Sequence, residues 1–281
     1  MIISGFFTNL YGTEFGGRPN AYKKRYLFGL ASLASNSQKK IIYTSPNDRD
    51  ELTDFLKKTL SIPEFKRYVI KPFYLTNQTF HPSIIILKKE FGYLSDRCLQ
   101  IQYGKFQWIM ECIKEEEDNY TWWVDAGLIS NHLFPNIYVE NIESSKNISS
   151  DNFFNQLVTK ADGKTYFICG DRSNGYAHSL PNQKYFDKGY QTKLHPIGGF
   201  FGGNSLFLNN FLLKCNLKIG QTLHDKVLYS EEVIMEIILS ETIENCSFDI
   251  FTTWRHEESS EFKRLNSLDC CKSFYKNFIA Y

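Results

Sequence analysis

KKIIYTSPNDRDELTDFLKKTLSIPEFKRYVIKP, residues 39–72, decides the fold class. KKIIYT has the β-branched and aromatic density of a strand, SPNDRDELTDFLKKTL reads as a helix opened by Ser45 with Pro46 in its first turn, and KRYVIKP returns to strand. Two strands joined through a helix run parallel. Upstream, IISGFF (2–7) reads as another strand, NLYGTEFGGRPN (9–20) as a Gly- and Asn-rich loop, and AYKKRYLFGLASLAS (21–35) as a helix with Tyr22, Tyr26, Leu30 and Leu33 on one face. The resulting βαβαβ order predicts parallel strands with helices on both faces, an α/β class of Rossmann-like character.

Downstream, SIIILKKEFGYL (83–94) and CLQIQYGKFQWIMECIKEEED (98–118) are helical, and the charged end of the second marks an exit to solvent. TWWVD (121–125) follows as a strand apolar enough to be buried on both faces. Asp125 then stands at that strand's carboxyl end, where the ligand crevice of an open α/β sheet lies. Residues 128–152 are polar and read as a loop or linker with one short extended piece; KTYFICGD (164–171) resumes as a strand. The irregular stretch 170–195 is long enough to suggest a lid or substrate wall. YSEEVIMEIILSE (229–241) is a helix with Val233, Ile234, Ile237 and Ile238 inward, and SFDIFTTW (247–254) a last strand.

At 281 residues the chain is expected to form one domain, since no repeat or linker divides it. A net charge of +1 gives no reason to expect nucleic acid as a partner. The start, MIISGFF, lacks the basic flank of a signal peptide, and no run reaches membrane-spanning length, so a cytoplasmic protein is expected. Its seven cysteines have no C-x-x-C spacing and read as reduced, buried thiols. CCKSFYKNFIAY (270–281) mixes aromatics with lysines and offers a possible peripheral membrane contact, with ordinary packing or a loose tail as the alternative.

Four segments in order resemble the HtrL/YibB family, whose members look like GT-A glycosyltransferases: GFFTN (5–9), GGRPN (16–20), WVDAG (123–127) and GGFFGG (198–203). The resemblance implies a single GT-A-like α/β domain with a mixed, mainly parallel sheet, divided into a nucleotide-binding half (1–127), an acceptor and catalytic half (128–256) and a tail (257–281). It implies transfer of a sugar from a nucleotide-sugar donor to a hydroxyl acceptor, a glycan being favoured, with help from Mn²⁺ or Mg²⁺; inversion is expected because candidate base carboxylates exist. GT-A enzymes carry an Asp-x-Asp motif, and here Gly127 stands where the second Asp belongs.

The chemistry also follows from the residue types. Charge developing on a departing diphosphate is neutralised by a hard cation, which one or two carboxylates and the phosphates themselves can hold. Asp125 is the candidate metal ligand; the resemblance implies His256 as a second, since GT-A enzymes often supply a late His, with Glu257 as its competitor; a turn formed by Asp125 and Gly127 is the structural alternative. Phe7, Thr8, Asn9 and Arg18 would meet the donor's base and ribose, together with Asp125, Ala126 and Gly127; Lys105 resembles a basic residue that family members place on the preceding helix, and would reach a phosphate. Arg25, Arg172 and His178 are weaker candidates for the same ligands. Gly198, Gly199, Phe200, Phe201, Gly202 and Gly203 would press backbone and rings against donor or acceptor, or form a bulged strand packed on a helix. Glu232, or else Glu231, would take the acceptor proton; both also suit the dipole of the helix that Ser230 opens. A metal-dependent nucleotide-sugar hydrolase, a nucleotidyltransferase and a non-catalytic nucleotide-sugar or glycan-binding module are the alternatives.

Overall fold

The computed structural model describes residues 1–8, 19–87, 96–126, 151–171, 194–227 and 229–251. Asn9, Arg18, Gly127, Arg172, His178, His256, Glu257 and the tail lie outside them, and so does the side chain of Arg25.

Seven strands form one sheet: β1 (Ile2–Phe6), β2 (Lys40–Thr44), β3 (Tyr68–Pro72), β4 (Tyr120–Val124), β5 (Thr165–Asp171), β6 (Leu194–Asn204) and β7 (Cys246–Phe251). Their order is β3-β2-β1-β4-β6-β5-β7. All neighbours run parallel except β6, which is antiparallel to both β4 and β5. This is the mixed, mainly parallel α/β sheet expected of a GT-A-like fold. The helices among the described residues are α1 (Pro19–Ser32), α2 (Pro46–Thr59), α3 (Ile62–Phe65), α4 (His81–Leu87), α5 (Asp96–Glu116), α6 (Asp151–Ala161), α7 (Ser205–His224) and α8 (Glu231–Glu241). The sequence reading has no helix at α6, although Phe153, Phe154, Leu157 and Ala161 are buried at helical spacing.

Adjacent residues on a strand face opposite ways, so each strand supplies two cores. Ile3, Ile41, Tyr43, Trp123, Phe167 and Phe201 meet residues of α5, α7 and α8. On the other face Ile2, Ile42, Trp122, Tyr166 and Phe200 meet those of α1, α2 and α6. Trp122 and Trp123 are both fully or almost fully buried, one in each core. Trp122, Trp123 and Val124 are thus apolar in succession because both faces of the strand are dry, and the Thr121 hydroxyl meets that of Ser205 at 2.8 Å. Trp108 of α5 stacks between Phe7 and Tyr43, with ring centroids 5.2 and 5.0 Å away.

The glycines of β6 divide by function. A Cβ on Gly202 would lie 2.4 Å from the Thr121 carbonyl oxygen and 2.5 Å from Trp122, while Gly203 has φ +119° and a Cβ there would lie 2.3 Å from the Lys164 oxygen. These two let β6 pass between β4 and β5 beside a tryptophan. Phe200 and Phe201 are buried in opposite cores, so the rings serve packing. Of the expected ligand-facing segment, only Gly198 and Gly199 are left at the sheet's crevice end.

At the other end of the sheet Lys40 is fully buried, its ammonium bonded to the Asn36 carbonyl and 5.7 Å from the Tyr68 ring centre. Arg67 donates to the same carbonyl at 3.0 Å. Burial, with Arg67 nearby, pushes the Lys40 amine down to about 7. The unfolded chain, with a lysine pKa of about 10.4, binds the proton more tightly, so stability contributed by Lys40 is present above that pH and is lost as pH falls toward 7. Lys40→Met is therefore expected to be the more stable protein at pH 7, on the order of a few kcal/mol, with the gap shrinking toward pH 10. Urea midpoints of both proteins at the two pH values check this; a gap independent of pH refutes it.

Candidate active site

The chain lays β2 and β3 on one side of β1 and then crosses to place β4 on the other. Such a reversal opens a crevice at the carboxyl ends of the two strands. The β1–β4 ladder stops at Ile3–Trp123, and the Ser4 hydroxyl then donates to the Val124 carbonyl at 2.5 Å. Beyond this point Phe7 and Thr8 leave β1, and Asp125 and Ala126 leave β4.

Thr8 is held by a residue that the sequence reading places only inside α2. Asp48 accepts from the Thr8 amide at 2.9 Å and from its hydroxyl, while the Ser45 hydroxyl donates to the same carboxylate at 2.7 Å. Ser45 also accepts from the Asp48 amide at 3.2 Å. One acid thus completes the first turn of α2 and fixes where β1 ends. The sequence signal was Ser-x-x-Asp at the helix start. Phe7 is buried against Trp108 in one core and Ala126 is buried in the other, so neither presents its side chain to the crevice.

Asp125 does. Its backbone amide donates to the Gly199 carbonyl at 2.8 Å, which anchors it to β6, and its side chain is 40% exposed. Oδ1 accepts from the Trp123 indole Nε1 at 2.7 Å and faces the Lys105 ammonium at 3.7 Å. Among the described residues both of these contacts fall on Oδ1, and Oδ2 makes no hydrogen bond or ion pair with them.

Lys105 is brought to the site but turned inward, at 3% exposure. Its ammonium donates to the Gly198 carbonyl and to Glu231 Oε1, each at 3.0 Å, and lies 5.3 Å from the centre of the Trp123 ring. Burial alone would lower its pKa; the Asp125 and Glu231 carboxylates outweigh that and hold it above the ordinary lysine range. Glu231 is buried, and burial raises its pKa against the opposing pull of Lys105.

Glu232, next along α8, is only partly buried and accepts from the Gly198 amide at 3.0 Å. The Gly198 peptide is therefore gripped on both sides, its N–H by Glu232 and its C=O by Lys105. A Cβ on Gly198 would lie 2.7 Å from Glu231 Oε1 and 3.1 Å from Glu232 Cγ, so a side chain there would have to displace the Glu231 carboxylate that meets Lys105. Ser230 precedes the helix, but its hydroxyl makes no cap hydrogen bond.

The structure therefore gathers Lys105, Asp125, Glu231, Glu232, Gly198 and Gly199 into one cluster, and buries Phe7, Phe200 and Phe201 in the cores. One ammonium among three carboxylates leaves the cluster negative, which favours a cation. Among the described residues no group of three His, Cys, Asp or Glu side chains forms a ready metal cage. A hard cation that brings most of its own oxygen ligands would need few from the chain, and the Asp125 carboxylate is of the chemical type to supply one.

No family model and no curated protein matches the sequence. Among solved structures, mouse xyloside xylosyltransferase 1 in its apo form is similar at 12% identity and a TM-score of 0.47, over 98% of this chain and 92% of that one. The galactosyltransferase LgtC, in complex with donor and acceptor sugar analogs, is similar at 9% identity and a TM-score of 0.45, over 88% of this chain and 72% of that one. Both likenesses concern the path of the chain alone.

Proposed function

We propose that this chain is a glycosyltransferase that moves a sugar from a nucleotide-sugar donor to a hydroxyl acceptor, a glycan being the favoured class, with inversion at the anomeric carbon. The observation that carries the reading is a half-exposed Asp125 carboxylate at the carboxyl end of β4, beside a second, partly exposed carboxylate on Glu232. In this reading residues 1–127 form the donor-binding half of one domain and 128–256 the acceptor and catalytic half.

Asp125 Oδ2 would hold Mn²⁺ or Mg²⁺ together with the donor phosphates, and His256 is a further candidate ligand. A bound cation supplies neutralisation of the charge that gathers on the diphosphate as it leaves. Asp125 orients that end of the donor from a backbone fixed to β6. Glu232 takes the proton of the acceptor hydroxyl while that oxygen forms a bond to the anomeric carbon; the bond from that carbon to the phosphate oxygen breaks, and its electron pair leaves with the nucleoside diphosphate. Gly198, whose amide Glu232 already holds, keeps the carboxylate at the crevice.

A thermal-shift panel of nucleotide-sugars with and without Mn²⁺ tests the reading. A donor that binds only the folded state at about 100 times its Kd is expected to add ~2.7 kcal/mol of apparent stability, and Mn²⁺ is expected to strengthen that response. Absence of any response across the panel overturns it. Steady nucleotide release without an acceptor would instead mark a hydrolase.

A further inference from the structure

We propose that Glu231 is a positioning residue: acting through Lys105, it turns Asp125 Oδ1 toward the protein interior and so leaves Oδ2 as the oxygen offered to the crevice. This deepens, and rests on, the reading of Asp125 as the residue that meets the donor.

Four elements converge on one ammonium. Lys105 comes from α5, and its oxygen partners are Gly198 on β6, Glu231 on α8 and Asp125 just after β4. The contacts to Gly198 and Glu231 are both 3.0 Å, whereas Asp125 Oδ1 stands at 3.7 Å. Glu231, the charged one of the two nearer partners, holds the ammonium together with the Gly198 carbonyl, and the ammonium joins the Trp123 indole N–H, at 2.7 Å, in facing Asp125 Oδ1. Trp123 is tied to both partners, since its ring lies under the ammonium and its N–H bonds the carboxylate.

Glu231 has no room to do otherwise. Its Oε1 is packed against the Gly198 backbone, so that a Cβ there would come within 2.7 Å. Its Oε2 is buried and has no hydrogen-bond partner among the described residues. A carboxylate so enclosed cannot receive an acceptor hydroxyl, which separates it from the half-buried Glu232. Nor does stability explain it, because a buried ion pair replaced by apolar side chains of similar volume is often as stable or more so.

The chain contains four tryptophans, so its ¹⁵N-labelled form gives four indole N–H signals, and Trp123→Phe identifies that of Trp123. Glu231→Met and Lys105→Met are each expected to displace the Trp123 signal. The double variant is expected to displace it no further than Lys105→Met does, because Glu231 acts through the lysine. Glu231→Gln keeps an oxygen facing the ammonium and is expected to restore most of the wild-type position. A Trp123 signal unmoved in folded Glu231→Met, or a Glu231→Met effect that persists in full without Lys105, overturns the proposal. Where Glu231→Met alone does not fold because a buried ammonium is left unpaired, Lys105→Met and the double variant still decide it: coincident Trp123 signals are expected, and a further displacement refutes it.

Titration with Mn²⁺ alone separates this proposal from the reading beneath it. Paramagnetic broadening of the Trp123 signal is expected in the wild type, and folded Glu231→Met is expected to need about 10- to 100-fold more Mn²⁺, the usual scale for removing support behind a metal ligand, with Glu231→Gln close to the wild type. No broadening in the wild type removes Asp125 as a cation ligand, and the displacements measured without metal then judge the positioning role by themselves.

Discussion

Asp125→Asn is expected to lower kcat/KM for sugar transfer by roughly 10²- to 10³-fold and to abolish the Mn²⁺-dependent part of donor binding. The substitution is chosen for what it preserves. An asparagine carbonyl can still accept from the Trp123 indole, and the backbone amide still bonds Gly199, so the strand end keeps its place. What disappears is the negative charge of a carboxylate that is 40% exposed. A cation that draws its other ligands from the donor phosphates and solvent has little else among the described residues to hold it, so the loss falls on binding of the metal–donor pair. Initial rates with and without Mn²⁺, and thermal shifts with the donor identified in the panel, measure it. Transfer and Mn²⁺ response both unchanged would reject Asp125 as a ligand.

A second large effect is expected at Glu232. Glu232→Gln should reduce kcat by about 10²- to 10⁴-fold, with little change in KM, which is the scale of a lost general base. The amide oxygen of glutamine can accept the Gly198 N–H as the carboxylate does at 3.0 Å, so the variant separates proton acceptance from a purely structural hold on that strand. Undiminished kcat would assign Glu232 to the hold alone. The anomeric configuration of the product, read by NMR, completes the test: inversion fits direct attack by a hydroxyl activated by this base, and retention removes the role.

Much of the architecture was legible because short-range chemistry dictated it. Residues 39–72 announced a parallel βαβ unit through Ser45, Pro46 and two β-branched runs, and the observed β2, α2 and β3 follow them closely. TWWV declared a strand with two dry faces, which Trp122 and Trp123 then occupy in separate cores. The helix α7 was less readable, since glycines and asparagines at its approach hide a pattern in which Leu208, Phe211, Leu212, Cys215 and Ile219 are buried at helical spacing.

The site was legible only in its membership. Asp125, Lys105, Glu231, Glu232 and Gly198 were all candidates, and they do meet. Their division of labour was not readable, because Lys105 and Glu231 are 126 positions apart and the chain between them carries no trace of their 3.0 Å contact. Asp48 shows the same limit: Ser-x-x-Asp explains its place in the helix, but nothing local tells that it also grips Thr8, 40 positions away.

The sequence by itself determined the parallel βαβαβ opening of the sheet, the two-faced burial of β4, and an acid at the end of that strand, since propensity, capping and apolar period act between near neighbours along the chain. Only the tertiary structure decided that Lys105 points inward, that Glu231 is enclosed while Glu232 is not, and that Phe200 and Phe201 pack rather than line a pocket. Those outcomes depend on which side chains are brought together across the sheet, and burial and Coulomb forces act through space without regard to separation in sequence.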